Sequence, residues 1–582
     1  MNNNYDSWYS SSGATCIKAW RKRVALLLFF VMFGVFGVNA QVTTNGGSGL
    51  AATYPSLSAA VTALNAATIS SPVVITLSGN ETAPVGGYNI TATGTSTNTI
   101  TIQGSSSTIT APTPQTAGIL VDAIFKITGG DWITIQNFTM LENASNTVTT
   151  AASNTMTEFG VALFYATATN GAQNCTIQNN TITLNRTYQN TFGIYSNSMH
   201  TATNATTTAT ATGTAGGNSG LKIYGNAISN VNLGIVVVGP TVVADANTGI
   251  DIGGSSSGTG NTITNYGTTG TFSGYAGVSG TVNGILVRNS NGFNVSYNSI
   301  TSSNGGVTLG TLNGIQIQAS TNAPTATFTN TISNNTLSLQ TGVAAGGING
   351  INYPSGSASA TSVVNISNNN FTRINSSVTA SGAYDGILCQ STNLTTTISN
   401  NTFTNLSVNT TGSFRFIVHS FTMPANGSTT ISNNSIVTAF NKTGAGGTVT
   451  ITTTNGSSPS GTTATYTNNN FSNITVTGAT GITGFNNTDG GTASAKTITG
   501  NTFNNWTGGT SAITAMNFTY FSGTSTLSSN TVTNITGQAA ITAITIGSAA
   551  SGTLLTVASN TINNLTSTGT GGAIIGLSCT NA

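Results

Sequence analysis

Acid–base catalysis needs two titratable side chains at one point of the substrate, and this sequence offers few places where two could meet. Asp489 lies in the segment Asn487-Thr488-Asp489-Gly490, and Lys496 is the only basic residue that follows it. A single carboxylate cannot supply the acid and base pair of glycoside hydrolysis. We therefore interpret this segment as a turn.

A second candidate is the segment 413–421, SFRFIVHSF, which combines Arg415 and His419 with three phenylalanines. Aromatic rings beside a polar donor could form a patch that stacks on a glycan. However, Phe414 and Phe416 alternate as the inward residues of a strand do. The pattern therefore favours a core strand over a binding patch.

Calcium binding requires several carboxylates in one place. Asp245 and Asp251 are six residues apart in a Gly- and Ser-rich loop, near Asn247 and Asn261. The remaining acidic residues of the N-terminal half are scattered and could meet only if segments of the chain stack. They are Asp122, Asp131, Glu142 and Glu158. The sequence predicts no catalytic residue, no metal site and no cofactor.

The histidines and cysteines form no ligand motif. His200 and His419 have no partner residues nearby in sequence, and we expect both at the surface or at a corner of the fold. Cys175, Cys389 and Cys579 lack the CxxC spacing of a zinc site, and they do not form the pattern of a disulfide framework. Such cysteines are expected to be buried as small apolar side chains.

Charge is scarce along the whole chain. The 582 residues include 12 Lys and Arg and 10 Asp and Glu, which is 4% charged residues, against about 25% in an ordinary soluble domain. Nucleic-acid binding needs a basic face, which this chain does not have. Its hydrophobic fraction of 37% is nevertheless sufficient for a buried core.

The first 40 residues have the pattern of a secretory signal. Lys18 and the basic residues 21–23 precede the apolar run 24–38, and Ala40 follows at the expected cleavage site. The alternative is an uncleaved membrane anchor, although the run is short for a spanning helix. Removal of this segment takes away four basic residues and one acidic residue, which leaves a net charge near −1. No later stretch is long and apolar enough to span a membrane.

A short phrase recurs along the rest of the chain: an apolar residue, two small polar residues, Asn, a small residue and another apolar residue. Successive copies are 29 to 46 residues apart. We expect the twelve marker asparagines to form a structural ladder. They are Asn180, Asn226, Asn261, Asn298, Asn335, Asn369, Asn401, Asn434, Asn469, Asn501, Asn530 and Asn560.

A second phrase, Asn-Gly-Ile or Asp-Gly-Ile, precedes several markers, at Gly284, Gly314, Gly350 and Gly386. Each repeat therefore contains at least two short strands, and no repeat shows a ten-residue helical pattern. Propeller blades are longer, at roughly 40–45 residues, and have four strands each. Coils of parallel strands fit better.

Stacked coils explain the composition. Equivalent side chains lie about 4.8 Å apart in neighbouring coils, so like charges would repel along a column. Asn, Thr, Ser and Ile can stack on themselves, and Asn side chains form hydrogen-bonded ladders. Asn also tolerates the left-handed conformation of a sharp corner. A dozen coils would form a rod of roughly 55–60 Å.

The chain before the repeats is expected to close the first coil. Residues 54–65 have helical spacing of apolar residues, and a strand follows at 73–77. A short helix at this position would cap the open core. The segment 124–137 predicts a strand, a Gly-rich turn and a second strand. We divide the chain into a signal peptide at 1–40, a cap with the first coils at 41–160, and repeats at 161–582.

Together, the cap, the segment 124–137 and the asparagine corners resemble the right-handed parallel β-helix proteins of the pectin-lyase-like superfamily. The resemblance implies an all-β, right-handed parallel β-helix over residues 45–578. Enzymes of that superfamily cleave acidic polysaccharides. The segment 487–490 looks like the first catalytic phrase of the polygalacturonase-like branch, but the paired Asp, the Gly-His-Gly and the Arg-x-Lys of that branch are absent.

The composition, which is rich in Thr and Asn and poor in charge, is also similar to that of large secreted β-strand-repeat surface proteins of Gram-negative bacteria. This resemblance implies a secreted or cell-surface protein with a structural, adhesin-like role and contact with glycans, without catalysis. The alternative is a polysaccharide lyase or glycoside hydrolase. Ice binding by stacked threonines is a third hypothesis, which the irregular repeat spacing disfavours. Because the chain stops in mid-repeat, we expect a fragment that lacks a C-terminal sorting or anchoring domain.

Overall fold

The computed structural model describes residues 41–580 with several gaps. The proposed cleavage site at Ala40 and the lone His200 lie outside the described residues. The gaps are 118–119, 151–152, 198–210, 268–280, 303–310, 319–326, 355–360, 421, 457, 460 and 490–493.

The described chain folds into a parallel β-solenoid of about 13 turns. A typical coil contains three strands, for example Val363–Ser367, Asn370–Ser376 and Tyr384–Cys389. Each strand pairs in parallel with its equivalents in the preceding and following coils, so three long sheets run along the solenoid. The predicted all-β solenoid fold is confirmed. The repeats predicted at least two strands in each coil, and a typical coil of the structure has three.

The first sheet contains the strands that precede the asparagine corners. Its strands are Val73–Leu77, Ile100–Thr110, Ile133–Leu141, Thr176–Gln178, Lys222–Tyr224, Asp251–Ile252, Asn294–Ser296, Thr329–Ser333, Val363–Ser367, Thr395–Ser399, Ser428–Ser432, Thr463–Thr467, Ala495–Thr499, Ile513–Ser528 and Leu554–Ala558.

The second sheet contains the strands that follow the corners, including the ends of Ile100–Thr110 and Ile133–Leu141, which run through the corner. Its other strands are Glu81–Thr82, Thr181–Thr183, Ala227–Ser229, Thr262–Tyr266, Ser299–Ser302, Thr336–Thr341, Asn370–Ser376, Thr402–Phe403, Leu406–Val408, Ser435–Ile436, Phe440–Lys442, Ile474–Val476, Thr502–Thr507, Thr531–Gly537 and Thr561–Ser567.

The third sheet contains the strands with the Asn-Gly-Ile phrase, and the long strand Ile513–Ser528 continues from it into the first sheet. Its other strands are Tyr88–Ile90, Ala123–Thr128, Phe159–Phe164, Phe192–Asn197, Leu233–Val238, Thr281–Arg288, Thr311–Gln318, Ile348–Tyr353, Tyr384–Cys389, Phe414–Ser420, Thr448–Asn455, Gly481–Asn487, Ile541–Ala549 and Ile574–Cys579.

Strand register places identical residues above one another in the core. Ile366, Ile398 and Ile431 are direct neighbours in the first sheet, and all three are fully buried. In the second sheet the rings of Phe371 and Phe403 stack with centroids 4.8 Å apart and an interplanar angle of 11°. The core is therefore a set of apolar columns that run along the solenoid.

The glycine of the Asn-Gly-Ile phrase is required by close packing between sheets. A Cβ atom at Gly350 would lie 2.4 Å from the ring of Phe371 and 2.5 Å from the carbonyl oxygen of Gly386. Both distances are too short for a side chain. The phrase therefore identifies the point where the third sheet approaches the core of the second.

Variation in repeat length lies in the loops between sheets. Between the second and third sheets, three residues separate Ser229 from Leu233, whereas seventeen separate Leu141 from Phe159. The corner between the first and second sheets is short in most coils, with two residues between Ser399 and Thr402, but nine residues separate Ile252 from Thr262. Insertions therefore change the periphery of a coil without changing its ladder.

One α-helix, Leu57–Ala66, is found among the described residues, near the N-terminus. Ser56 caps it by accepting a hydrogen bond from the backbone N–H of Ala59 at 3.2 Å. Its buried residues join the main core, and Asn65 donates to the carbonyl oxygen of Asn89 in the first coil at 2.8 Å. The predicted capping helix is thus confirmed. The strand Val42–Thr44 pairs antiparallel with Val73–Leu77 beside it.

Shorter elements complete the described chain. Thr53–Tyr54 pairs with Val42–Thr44, and Asn247–Thr248 pairs with Ser290–Asn291. The 3₁₀ turns are Gly47–Gly49, Thr214–Gly216, Val243–Asp245 and Ser257–Thr259.

We predict that Ser56→Ala weakens the cap by about 1 kcal/mol, because it removes the acceptor for an N-terminal helix N–H. Hydrogen exchange of residues 57–66 under mild denaturant would measure the loss. Ser58→Ala, in the same helix but without a capping bond, is the control. Equal exchange in the two variants would contradict the prediction.

Candidate functional site

The marker asparagines form a continuous hydrogen-bonded ladder between the first and second sheets. In a typical step, both the backbone N–H and the side-chain Nδ2 of Asn369 donate to Oδ1 of Asn401, each at 3.0 Å. The eleven Nδ2–Oδ1 distances along the ladder lie between 2.9 and 3.1 Å. The twelve residues are therefore one connected structure.

The second N–H of each ladder amide bonds in the opposite direction. Nδ2 of Asn369 donates to the carbonyl oxygen of Ile332 in the preceding coil at 3.0 Å. Equivalent bonds of 2.8 to 3.0 Å occur at every marker. From Asn180 to Asn530 both N–H groups of each amide thus have acceptors, which removes the cost of burying the side chain.

The left-handed conformation at the corner belongs to the residue before the marker. In eleven of the twelve corners this residue has a positive φ, between 54° and 69°, as at Asn334, Asn368 and Asn400, whereas no marker does. The left-handed conformation that Asn tolerates is therefore found one position before the marker. The first asparagine of an Asn-Asn pair makes the bend, and the second fills the ladder.

Two earlier coils have residues other than Asn at the ladder position, so they do not contain the repeated phrase. Strand register aligns Phe138 with Asn180, and Oδ1 of Asn180 accepts from the backbone N–H of Phe138 at 3.1 Å. One coil earlier, Ser107 is paired with Phe138. Only the strand register could have identified these coils, because neither residue resembles the marker.

We predict that Asn401→Ala lowers the free energy of unfolding by about 3 kcal/mol, because it leaves two buried N–H groups of Asn369 without their acceptor. Denaturant unfolding followed by circular dichroism would measure the change. Asn400→Gly is the matched control, since Gly accepts the left-handed conformation, and should remain within about 0.5 kcal/mol of wild type. A loss below about 1 kcal/mol for Asn401→Ala would contradict a stabilising ladder.

Asp489 forms an ion pair inside the solenoid. Its Oδ2 lies 3.0 Å from Nζ of Lys496, and the two side chains are 10% and 0% exposed. Nζ also donates to the carbonyl oxygen of Tyr520 at 2.6 Å. Burial lowers the pKa of Lys496, and the charge of Asp489 opposes that shift. The only carboxylate of the segment 487–490 is therefore paired with a buried lysine.

Arg415 and His419 point to opposite sides of one strand and do not form a joint site. Arg415 makes two bonds to Asp385, at 2.6 and 2.8 Å, on the outer side of the third sheet. His419 is 5% exposed and lines a small cavity with Tyr466 and Asp489. The expected surface or corner position of His419 was therefore wrong. The inward register of its strand, beside buried Phe416, explains the burial.

The buried histidine gives a pH prediction. Burial lowers the pKa of His419 to about 3, whereas a histidine in an unfolded chain titrates near 6.5. Its contribution to stability is thus complete above pH 6.5 and is lost as the pH falls toward 3. Between pH 7 and 5 we expect wild type to lose about 2 kcal/mol more than His419→Gln.

Denaturant midpoints measured at pH 7, 6 and 5 would test this difference in both proteins. The comparison uses pH dependence, so a constant destabilisation by the substitution does not affect it. Parallel pH profiles for wild type and variant would contradict a neutral buried His419.

Three of the scattered acidic residues come together, and two of them, Glu142 and Glu158, lie at the two ends of the loop that joins Leu141 to Phe159. The backbone N–H of Asp122 donates to Glu158 at 2.8 Å, and both residues are fully buried. The neighbouring Thr157 donates to Glu142 from its backbone and its hydroxyl. Burial raises the pKa of Asp122 to about 6 and that of Glu158 well above its usual range.

Asp131 and Asp251, which were also singled out in the sequence, have separate partners. Asp131 accepts a bond from the backbone N–H of Gln173 at 2.7 Å. Asp251 accepts bonds from Tyr224 and Asn294. Within the ranges that the structure describes, no three His, Cys, Asp or Glu side chains are placed to hold a metal ion.

Stacked threonines form a regular column on the outer side of the first sheet. Its members are Thr397, Thr430, Thr465, Thr497, Thr526 and Thr556. Since the length variation lies in loops elsewhere, the irregular repeat spacing does not argue against a regular threonine face.

A cavity of about 210 Å³ opens on the outer side of the third sheet, near its N-terminal end. We call it the Lys126 cavity. It is lined by Asn89, Val121, Lys126, Thr128, Phe164 and Tyr165.

Three successive strands build the Lys126 cavity. Tyr88–Ile90, Ala123–Thr128 and Phe159–Phe164 are neighbours in the third sheet, so their outward residues form its floor and walls. Phe164 belongs to a second apolar cluster on the outside of this sheet, where it packs edge-on against Phe159. The cavity therefore combines an amine, an amide, a hydroxyl and aromatic rings.

No helix in the described part of the chain is long and apolar enough to cross a membrane. Cys175 and Cys389 are buried, as expected from their spacing, whereas Cys579 is exposed. All three are free thiols.

No protein-family model matches this chain, and no curated protein matches it. Among solved structures it is similar to the Dettilon tailspike protein, with 15% identity and a TM-score of 0.32, covering 81% of this chain and 65% of that one. The chain thus spans less than two thirds of the tailspike.

Two further similar structures have comparable lengths. The Streptococcus pneumoniae surface protein and adhesin PfbA has 11% identity and a TM-score of 0.18, with coverage of 86% of this chain and 91% of that one. The alginate lyase AlyGC of family PL6 has 10% identity and a TM-score of 0.17, with coverage of 86% and 97%. Such low values carry no information about function.

Proposed function

We propose that this protein is a secreted or cell-surface β-solenoid with a structural, adhesin-like role that contacts glycans without catalysing a reaction on them. The observation that supports glycan contact is the Lys126 cavity. It places aromatic rings beside hydrogen-bonding groups on an outer surface, and this combination suits the mixed apolar and polar faces of a sugar.

The structural role is supported by the way the coils are joined. The asparagine ladder and the three parallel sheets connect each coil to the next by backbone and side-chain hydrogen bonds. In such a solenoid each coil contacts its neighbours, and the surface extends in proportion to the number of coils. A long, regular rod is suited to holding a binding surface away from its point of attachment.

A non-catalytic role is supported by the positions of the acidic residues. Asp489 is paired with Lys496, and Asp385 with Arg415. Glycoside hydrolysis needs two carboxyl groups that both reach the substrate. These carboxylates are instead engaged by basic residues of the same chain.

The alternative, a polysaccharide lyase or glycoside hydrolase, is favoured by one observation: Asp122, Glu142 and Glu158 lie close together. However, Asp122 and Glu158 are fully buried. In this structure a substrate therefore cannot contact either of these two carboxylates. We therefore place this function second.

A glycan array probed with residues 41–582 would test glycan contact. We expect saturable binding to at least one glycan, and loss of binding after heat unfolding. A blank array would contradict glycan contact. Incubation of the same protein with the bound polysaccharide should release no new reducing ends or unsaturated products, and their release would favour the enzymatic alternative.

A further inference from the structure

We propose that the outer side of the first sheet, in the coils from Thr397 to Ser528, binds ordered water and thereby adsorbs to the surface of ice. This function goes beyond the proposed glycan contact, which uses the outer side of the third sheet. It is carried by a grid of hydroxyl groups, by the distance at which they repeat, and by the neutral character of that side of the sheet.

Two adjacent columns of hydroxyl side chains form what we call the threonine grid. Strand register places each member beside its equivalent in the next coil, and no register shift falls between members. The first column is Thr397, Thr430, Thr465, Thr497 and Thr526, and the second is Ser399, Ser432, Thr467, Thr499 and Ser528. The residues between the columns, such as Ile398 and Ile431, are buried in the core, so the grid faces outward.

The hydroxyls of the threonine grid are available to a ligand. Every member is half-buried or exposed. Within the part of the chain that the structure describes, these hydroxyls make no hydrogen bond to another protein group. Threonine is branched at Cβ, which restricts χ1. Less conformational entropy is therefore lost when a row of threonines binds a surface.

The shape of the coils leaves one edge of the threonine grid clear. The adjoining corners are tight, with two residues between Ser432 and Ser435 and two between Ser528 and Thr531. In these coils no inserted loop rises beside the second column. An extended flat surface can therefore approach the grid from that edge.

Along the solenoid, the threonine grid repeats at nearly the same distance as ice. Equivalent hydroxyls lie about 4.8 Å apart. Water molecules in ice bond tetrahedrally at about 2.75 Å, so two molecules bonded to the same neighbour lie about 4.5 Å apart. Over the four steps of the grid this difference accumulates to about 1.2 Å, which is less than half of one repeat. A column of hydroxyls can thus occupy successive positions of a water lattice.

The spacing within a strand also leaves space for ordered water. Neighbouring columns are about 6.6 Å apart, because each of two residues advances the strand by about 3.3 Å. A row of water molecules fits between the columns at hydrogen-bonding distance from both. Each hydroxyl can donate one bond and accept two, as a water molecule of the lattice requires from its neighbours.

The neutral character of this side favours ice over a charged ligand. Lys496 is the one charged residue in the five strands of the threonine grid, and it points inward to Asp489. The remaining outward positions of these strands hold residues such as Thr395, Ser428 and Thr463. A charged side chain would orient water around itself, whereas hydroxyl and methyl groups leave the lattice undisturbed.

Slow growth of ice in a solution of residues 41–582 would test this inference. We expect the protein to be included in the ice and to change the shape of a single growing crystal. Thr465→Tyr, in the middle of the threonine grid, should abolish both effects, because the ring rises above the hydroxyls and prevents contact with a flat surface.

Thr545→Tyr is the matched control. Thr545 is a half-buried outward residue of the third sheet, where its strand neighbours are Asn517 and Ser578. Tyrosine is favourable in strands, so both variants should fold, which circular dichroism would verify. The control should enter ice as wild type does. If Thr465→Tyr does not fold, Thr497→Tyr decides, since Thr497 is exposed.

Exclusion of the wild-type protein from ice would overturn the inference, as would inclusion that Thr465→Tyr leaves unchanged. Binding to an insoluble crystalline polysaccharide, or a dimer that Thr465→Tyr dissociates, would assign the threonine grid to that partner if the protein is excluded from ice. The glycan array separates this inference from the proposed function. A blank array would refute glycan contact without affecting inclusion in ice, and Thr465→Tyr should leave array binding unchanged.

Discussion

Stacking of equivalent residues about 4.8 Å apart is the constraint on which the rest of this structure depends. At that distance a buried polar side chain is readily tolerated where it can bond to its own copy above and below. The asparagine ladder meets this condition, because each amide except the last donates forward to the next marker, and every amide donates backward to a main-chain carbonyl. The ladder therefore permits a polar column inside a solenoid that otherwise has apolar columns.

The same constraint explains where charged residues occur. Asp385 and Arg415 are direct neighbours in adjacent strands, so one column holds opposite charges. Lys222 and Asp251 are register partners in the same way. Lys496 instead points inward to Asp489. Opposite charges can share a column because they attract, whereas a run of like charges would accumulate repulsion over every coil.

Binding residues are expected in the loops and on the outer side of the sheets, where side chains do not have to stack on their own copies inside a core. The tight corner between the first and second sheets holds the asparagine ladder. The residues on the outer side of the third sheet, in contrast, differ from coil to coil along the rod. Near the N-terminus it has an apolar cluster around Phe159 and the adjacent Lys126 cavity. Farther along, it has polar residues such as Asn313 and Asn349, which bond to each other at 2.8 Å. A binding site can therefore change without altering the coils.

The amino-acid sequence alone was sufficient for the solenoid, the capping helix and the twelve ladder asparagines, because a strict spatial period leaves a trace in the local pattern of each repeat. It could not show that Phe138 occupies a ladder position, that His419 points inward, or that Asp122 meets Glu158. Those facts depend on strand register and loop paths between residues some 30 to 46 positions apart. The Lys126 cavity likewise exists only because stacking brings Asn89, Lys126 and Phe164 from three successive coils to one surface.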